Sequence, residues 1–371
     1  MNPATPDHAS PARLRIPLLG MGALALLAAL AAALIRTGWS LPLVSGSFVG
    51  QHGALMVGGF LGTLIGLERA IALQRRWPWL GPLASSLGTL ALLAGLPDIV
   101  SRGLITLAGL GLVAVFALIY RLRPTLDSAV MGAGAALWLV GNALWLAGSP
   151  MPHIVPWWLG FLILTIAGER LELSAVLRLK PGARRLFNVA VGLFAAGLAG
   201  TLVAFDISLR LMGLGLIALG AWLLRHDVAR RTIRASQLPR FIAACLLLGY
   251  IWLIVAGVLF LAFGASYTQG LIYDAATHAI FLGFVLSMIF GHAPIVLPAV
   301  LRFPVFYHPA LFAPLAFLHL GLFARVIGDL TTAPLWWKWG GLFNVAAVLL
   351  FLACAVFAIR RSKPVVKAEA G

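Results

Sequence analysis

The sequence contains very little charge. Only 10% of its 371 residues are Asp, Glu, Lys or Arg, and 61% are hydrophobic, whereas about 25% of the residues in soluble domains are charged. So few charged residues cannot cover the surface of a soluble fold of this length. Apolar stretches of about 20 residues, the length that crosses a bilayer, recur along the chain. The composition therefore predicts a polytopic membrane protein whose main partner is the lipid bilayer.

Cysteines and catalytic motifs are also scarce. The two cysteines, Cys245 and Cys354, lie in apolar stretches, which excludes a disulfide framework. A Walker loop, GxSxG, HExxH and CxxCH are all absent. The net charge of +16 could suggest nucleic acid, but the basic residues cluster between the apolar stretches, as topogenic charges do. We therefore expect no nucleic-acid partner.

Twelve apolar runs predict an all-α membrane fold. Lipid cannot satisfy an open backbone, so each run is expected to be a helix, and residues 1–371 to form a single transmembrane domain. The first run is expected to be an uncleaved helix. The runs are 16–35, 50–73, 79–97, 101–121, 127–147, 154–177, 186–204, 207–224, 239–264, 271–299, 307–328 and 335–359.

The Lys and Arg residues predict the orientation of these helices. With a cytoplasmic N-terminus, 20 of the 27 basic residues fall in cytoplasmic segments, and four (Arg36, Arg102, Arg210 and Lys338) fall outside. Such a bias follows the positive-inside rule. We therefore expect both termini inside, with residues 1–15 and 361–371 as cytoplasmic tails, in the bacterial inner membrane.

The dipeptide Gly-Phe marks a possible internal repeat. It occurs as Gly59-Phe60, Gly160-Phe161 and Gly283-Phe284, at intervals of 101 and 123 residues, which is four helices each. Eight residues after each Phe stands an ionisable residue: Glu68, Glu169 and His292. Seven residues before the first two Gly stand His52 and His153, and His278 lies near that place in the third copy. The pattern predicts three groups of four helices, with chance recurrence as the alternative.

His52 and His278 are the first candidates for a cofactor site. Under the predicted orientation both lie near the outer ends of their helices, the second and the tenth. Two neutral imidazoles from different helices are what a low-spin haem requires. Nearby Gly58, Gly59 and Gly283 would let a flat macrocycle approach the backbone. The alternative is a pair of interfacial histidines hydrogen-bonded to water or carbonyls.

Three further histidines, His153, His292 and His319, are second-rank candidates for a metal ligand or a proton relay. His292 follows His278 by 14 residues, about 21 Å along a helix axis, so these two cannot share a metal. A structural hydrogen bond to a neighbouring helix is the alternative for His292.

Charged residues near the inner ends of the helices form a second pattern. Glu68-Arg69 and Glu169-Arg170 repeat as adjacent acid–base pairs, and Glu172 follows on the same face as Glu169. Each charge at a helix centre would cost about 2.5–3.5 kcal/mol on insertion. We interpret the pattern as an ion-pair lock between helices; the alternative is a proton path.

Two helices resemble those of the NnrS family. The tenth run, His278-Ala279-(three)-Gly283-(four)-Met288-Ile289, resembles a late NnrS helix that begins His-Ala. The second run, His52-(three)-Met56-(two)-Gly59-Phe60, is similar to the NnrS helix that reads His-Ala-His-Glu-Met-Leu-Phe-Gly-Phe. NnrS proteins are haem- and copper-containing membrane proteins tied to denitrification and nitrosative stress, and are distantly similar to haem–copper oxidase subunit I.

The resemblance implies that His52 and His278 bind haem iron and that an electron donor or denitrification proteins are partners. The chain departs from the family at Ala54 and Leu55, where NnrS has its second His and its Glu. The seventh run contains no histidine, so the implied copper would lack the paired histidines that hold it in the oxidases.

Two classes of function follow. The first is an NnrS-like haem protein with a redox or nitric-oxide-related role. The second is a proton-coupled transporter without cofactor that uses Glu68, Glu169 and His292. A scaffold protein without chemistry is a third possibility, and the sequence leaves open whether the protein is an enzyme.

Overall fold

The structure, a computed structural model, describes residues 12–41, 46–177, 179–268, 270–301 and 307–361. Within these ranges the chain forms helices and short connectors and contains no strand. Most of the two predicted cytoplasmic tails lies outside the described residues, as do the basic residues Arg178 and Arg302.

Twelve long helices follow the twelve predicted runs. Two of them consist of consecutive segments: α2 comprises His52–Ala54, Leu55–Leu61 and Gly62–Leu73, and α10 comprises Gly270–His278, Ala279–Leu286 and Ser287–Leu301. The others are α1 Arg15–Arg36, α3 Leu80–Leu93, α4 Asp98–Leu122, α5 Leu126–Leu146, α6 Met151–Leu173, α7 Pro181–Gly200, α8 Phe205–His226, α9 Gln237–Phe263, α11 Phe312–Leu330 and α12 Pro334–Arg361.

Ten helices within the described ranges are long and apolar enough to cross a membrane. The two that fall short do so for different reasons. Helix α3 has only 14 residues, about 21 Å at 1.5 Å per residue, and α7 carries Arg184 and Arg185 in its first turn. The prediction of an all-α polytopic membrane protein is confirmed.

Two helices depart from regular α-helical geometry. The segments Leu55–Leu61 of α2 and Ala279–Leu286 of α10 are π-helical, whereas the sequence predicted regular helices there. A π-helix shifts its hydrogen bonds to i→i+5, and such segments are frequent at functional sites. In α2 the hydroxyl of Ser85 on α3 donates to the carbonyl of Gly58 at 2.5 Å, so a neighbouring helix bonds to the backbone of the wide turn.

Two compact units divide the chain, Met1–Glu172 and Leu173–Gly371. The first contains α1 to α6 and the second α7 to α12. The boundary therefore falls in the middle of the second predicted group of four helices.

In the first unit, α2 and α6 are the most buried of the candidate membrane spans. In an 18-residue apolar stretch of each helix, 61% and 78% of the residues are buried. Aromatic packing contributes to this burial: Trp138 of α5 stacks on Phe161 of α6 with ring centroids 5.0 Å apart. Gly62 of α2 meets the same indole, because a Cβ at this position would lie 2.7 Å from it. In the second unit α10 is the most buried span, at 67%. The helices that carry the Gly-Phe pattern are thus the most buried helices of their units.

In the second unit, α8 packs against α7 and α9 through glycines. A Cβ at Gly197 of α7 would meet backbone atoms of Met212 on α8, and one at Gly213 of α8 would lie 2.6 Å from the carbonyl oxygen of Gly257 on α9. Small residues allow the backbones of membrane helices to approach this closely.

An acid–base pair recurs at four-helix spacing. At the start of α4, Arg102 pairs with Asp98 at 2.5 Å and donates to the carbonyl of Trp145 at the end of α5. At the start of α8, Arg210 pairs with Asp206 at 3.0 Å and donates to the carbonyl of Leu261 near the end of α9. Each arginine thus donates to a carbonyl in the last turn of a neighbouring helix. The same arrangement thus occurs twice, four helices apart.

Candidate functional site

His52 begins α2 and lies against α1. Its Nδ1 is 2.8 Å from the carbonyl oxygen of Ala29. A carbonyl can only accept a hydrogen bond, so Nδ1 carries the proton and the Nε2 atom carries the lone pair. This is the tautomer in which a histidine can bind a metal through Nε2.

His278 is the last residue before the π-helical segment of α10, and its ring has the same tautomer. Its Nδ1 lies 2.9 Å from the carbonyl oxygen of Asp274 and 3.2 Å from the Oδ1 atom of the same residue. Both neighbours are acceptors, so Nδ1 again carries the proton. Histidine ligands commonly donate their second N–H to a carboxylate or carbonyl, which orients the ring and raises its basicity.

The glycines near these histidines are packed against side chains. A Cβ at Gly58 would lie 2.8 Å from Ile105, one at Gly59 would lie 2.9 Å from Ala25, and one at Gly283 would lie 2.5 Å from Trp252. The expectation that these glycines open space for a macrocycle is therefore wrong. They allow close packing within each unit.

The other candidate histidines are scattered. His153 is exposed at the start of α6, and Nδ1 of His292 donates to the carbonyl of Met288 at 2.9 Å, one turn earlier in the same helix. Among the residues that the structure describes, no group of three or more His, Cys, Asp or Glu side chains could hold a metal ion.

His319 of α11 lies in a chain of hydrogen bonds whose direction is fixed at both ends. The indole N–H of Trp252 can only donate, and it lies 2.9 Å from Nδ1 of His319. The carbonyl of Cys245 can only accept, and it receives the Ser287 hydroxyl at 2.7 Å. Nε2 of His319 therefore carries the proton and donates to Ser287 at 3.2 Å. Both ring nitrogens are bonded, so a metal at either nitrogen would have to displace a partner.

We expect Ser287→Ala to lower the free energy of unfolding by about 1–3 kcal/mol, because it leaves the imidazole N–H and the Cys245 carbonyl without this partner in the interior. Denaturant unfolding of the purified protein measures the change. Thr331→Ala, which removes an exposed hydroxyl bonded to its own helix at Ile327, is the control. Equal stabilities of the two variants would contradict the prediction.

The charged residues of α2 and α6 form ion pairs. Arg69 pairs with Glu169 across the two helices and lies 3.6 Å from Glu68. Its guanidinium also stands over the ring of Phe116 on α4, 5.6 Å from the centroid. Glu172 pairs instead with Arg123 at 2.5 Å, and the side chain of Arg170 is buried. The chain therefore balances the Glu169 carboxylate with a guanidinium from another helix.

A buried charge cluster in the second unit includes residues that the sequence reasoning left without a role. Arg325 of α11 donates to both carboxylate oxygens of Asp274, at 2.6 and 2.8 Å. The indole N–H of Trp337 on α12 reaches Oδ2 of the same carboxylate at 3.2 Å. Asp329, one turn after Arg325, is 2% exposed and interacts electrostatically with both Arg325 and Asp274. We call Asp274, His278, Arg325, Asp329 and Trp337 the α10–α12 cluster.

A comparison with known families decides where the chain belongs. The profile of one family, described as Domain of unknown function (DUF8744), matches residues 15–360. The chain belongs to the DUF8744 family. No curated protein and no solved structure matches the chain.

The DUF8744 match covers every candidate residue, including the α10–α12 cluster that the sequence reasoning missed. A signal was present, because ionisable residues inside apolar helices are functional candidates by default. Asp274 stands one helical turn before His278, and Arg325 and Asp329 are one turn apart at the end of another apolar run.

Proposed function

We propose that this DUF8744 protein is a membrane haem protein with a redox or nitric-oxide-related role, in which Nε2 of His52 and Nε2 of His278 bind the iron. The observation that carries the proposal is the parallel between the two histidines. Each donates its Nδ1 proton to a backbone carbonyl, and each stands at or just before a π-helical segment. The resemblance of the same two helices to NnrS proteins agrees with this choice of ligands.

The residues around the two histidines would give them different properties. His52 donates to a neutral carbonyl, whereas His278 also faces the Asp274 carboxylate, which makes its imidazole a stronger electron donor. Arg325 and Trp337 hold that carboxylate in place. Held by His52 and His278, a haem would supply one-electron chemistry, which suits electron transfer or sensing rather than substrate binding.

The absorbance spectrum of the purified, detergent-solubilised protein tests the proposal. We expect a Soret band that is lost or strongly reduced in His52→Ala and in His278→Ala. His153→Ala, at an exposed position, and His308→Ala, whose Nδ1 accepts from the backbone N–H of Ala310, are controls expected to keep it. A colourless wild-type protein without iron would overturn the proposal and favour the cofactor-free transporter.

The setting of this activity is part of the proposal. We place the protein in the bacterial inner membrane with both termini in the cytoplasm, and we expect an electron donor or denitrification proteins as partners. Copper is not assigned to any residue, because α7 contains no histidine.

A further inference from the structure

Asp329 is a buried carboxylate without a hydrogen-bond donor. It is 2% exposed, and no donor group reaches either of its oxygens. The group beside it is the Asp274 carboxylate, with which it can share a hydrogen bond only if one of the two carries a proton. Burying an ionised carboxylate is costly unless it is paired and hydrogen-bonded. The ion pairs of the α10–α12 cluster therefore do not explain how the buried Asp329 carboxyl group is stabilised.

Its neighbour Asp274 is in the opposite situation. The oxygens of Asp274 accept from the guanidinium of Arg325, the indole of Trp337 and the imidazole of His278. The guanidinium is thus committed to Asp274 by two hydrogen bonds, and Asp329 interacts with it only electrostatically. The donors of the cluster all serve one carboxylate and leave the other without any.

The charge of the cluster is unbalanced. Two carboxylates and one guanidinium leave one negative charge if His278 is neutral, as its proposed role as a ligand requires. Like charges placed close together in a protein interior cannot both remain ionised without compensation. Lys338 follows Trp337 on α12 and has an interaction of its own, but no hydrogen bond from it reaches the oxygens of Asp329.

We propose that Asp329 is the binding site for one exchangeable monovalent cation, either a proton or an alkali ion. The lack of a donor at Asp329 does not depend on haem; only the charge count, which takes His278 as neutral, rests on the proposed function. It lies at the end of the second unit where α11 ends and α12 begins. A proton would sit on one Asp329 oxygen as a neutral acid; an alkali ion would be held by the carboxylate oxygens.

Unfolding midpoints of wild type and Asp329→Asn, measured against pH along one axis and against sodium along the other, test the proposal. If the cation is a proton, mildly alkaline pH removes it, so the wild-type midpoint falls while that of Asp329→Asn stays constant. If it is sodium, the wild-type midpoint rises when NaCl replaces choline chloride at equal ionic strength, and that of Asp329→Asn does not. Identical responses of the two proteins along both axes would overturn the proposal.

Asp98→Asn is the matched control, because Asp98 also stands one turn from an arginine but has a side chain 58% exposed; we expect it to respond as wild type does. If Asp329→Asn fails to fold, infrared spectroscopy of the wild type decides the proton case. A carboxylic acid C=O band that persists at neutral pH without sodium and shifts in D2O supports a bound proton. Absence of this band, together with no retention of radioactive sodium by the wild type, overturns the proposal.

Discussion

Arg325→Ala is expected to lower the free energy of unfolding by about 3–5 kcal/mol, the cost of breaking a buried ion pair by removing one partner. The guanidinium is 7% exposed and donates two hydrogen bonds to Asp274. Without it, Asp274 would keep only the indole and the imidazole as donors, and no guanidinium would stand near Asp329. Denaturant unfolding in detergent measures the loss.

Arg123→Ala is the matched control for this prediction. Arg123 also pairs with a carboxylate, Glu172 at 2.5 Å, but the two side chains are 59% and 37% exposed. Exposed pairs contribute about 0–1 kcal/mol because water screens them. Adding Asp329→Asn to Arg325→Ala should restore part of the lost stability, since the neutral amide needs no counter-charge once the guanidinium is gone. Equal unfolding midpoints for Arg325→Ala and Arg123→Ala would show that the buried pair does not stabilise the protein.

The fold was largely predictable because the bilayer imposes strong constraints. A chain with so few charges has to cross lipid, and lipid admits only helices or closed barrels, so twelve apolar runs correspond to twelve helices. The ends were harder to place. Helix α3 was expected to reach Pro97 but ends at Leu93, because Gly95 takes a positive φ of 66° and turns the chain before hydropathy falls.

Candidate site residues could be selected from the sequence only where a residue is informative by type. Histidine in an apolar helix is conspicuous, so His52 and His278 could be selected from the sequence. The π-helical segments beside them could not, because a π-helix has the same apolar composition as an α-helix. The bond between Arg325 and Asp274 joins residues 51 positions apart, and charge content does not specify which distant partners meet.

The glycines show the opposite error, since the predicted opening for a macrocycle is occupied by close helix packing. The decisive information is which atoms lie beside a glycine, and this depends on the neighbouring helix. Trp252 fills the space at Gly283 and extends its N–H to His319. A glycine and a histidine that looked like separate features thus belong to one packed region.

Gly197→Leu is the second large effect that we expect, with a loss of about 3 kcal/mol or more in the free energy of unfolding. A Cβ at Gly197 would lie 2.6 Å from the Cα of Met212 and 2.8 Å from the carbonyl oxygen of Ser208, both backbone atoms of α8. No side-chain rotation can relieve a clash with backbone, so α7 and α8 would have to separate. Overpacking that forces such shifts costs about 1–3 kcal/mol and occasionally more.

Gly192→Leu on the same helix isolates this effect from the helix propensity of leucine. A Cβ at Gly192 has no heavy atom within 4 Å, so the substitution adds no clash. Leucine favours a helix by somewhat less than about 1 kcal/mol over glycine, and we expect Gly192→Leu to be neutral or slightly stabilising. Thermal unfolding of both variants beside wild type separates packing from propensity. Helix α8 also packs closely on α9 through Gly213. A large loss of stability in Gly197→Leu would show that close approach of the helices, and not apolar composition alone, stabilises the second unit. An unchanged unfolding midpoint for Gly197→Leu would show that close approach does not stabilise it.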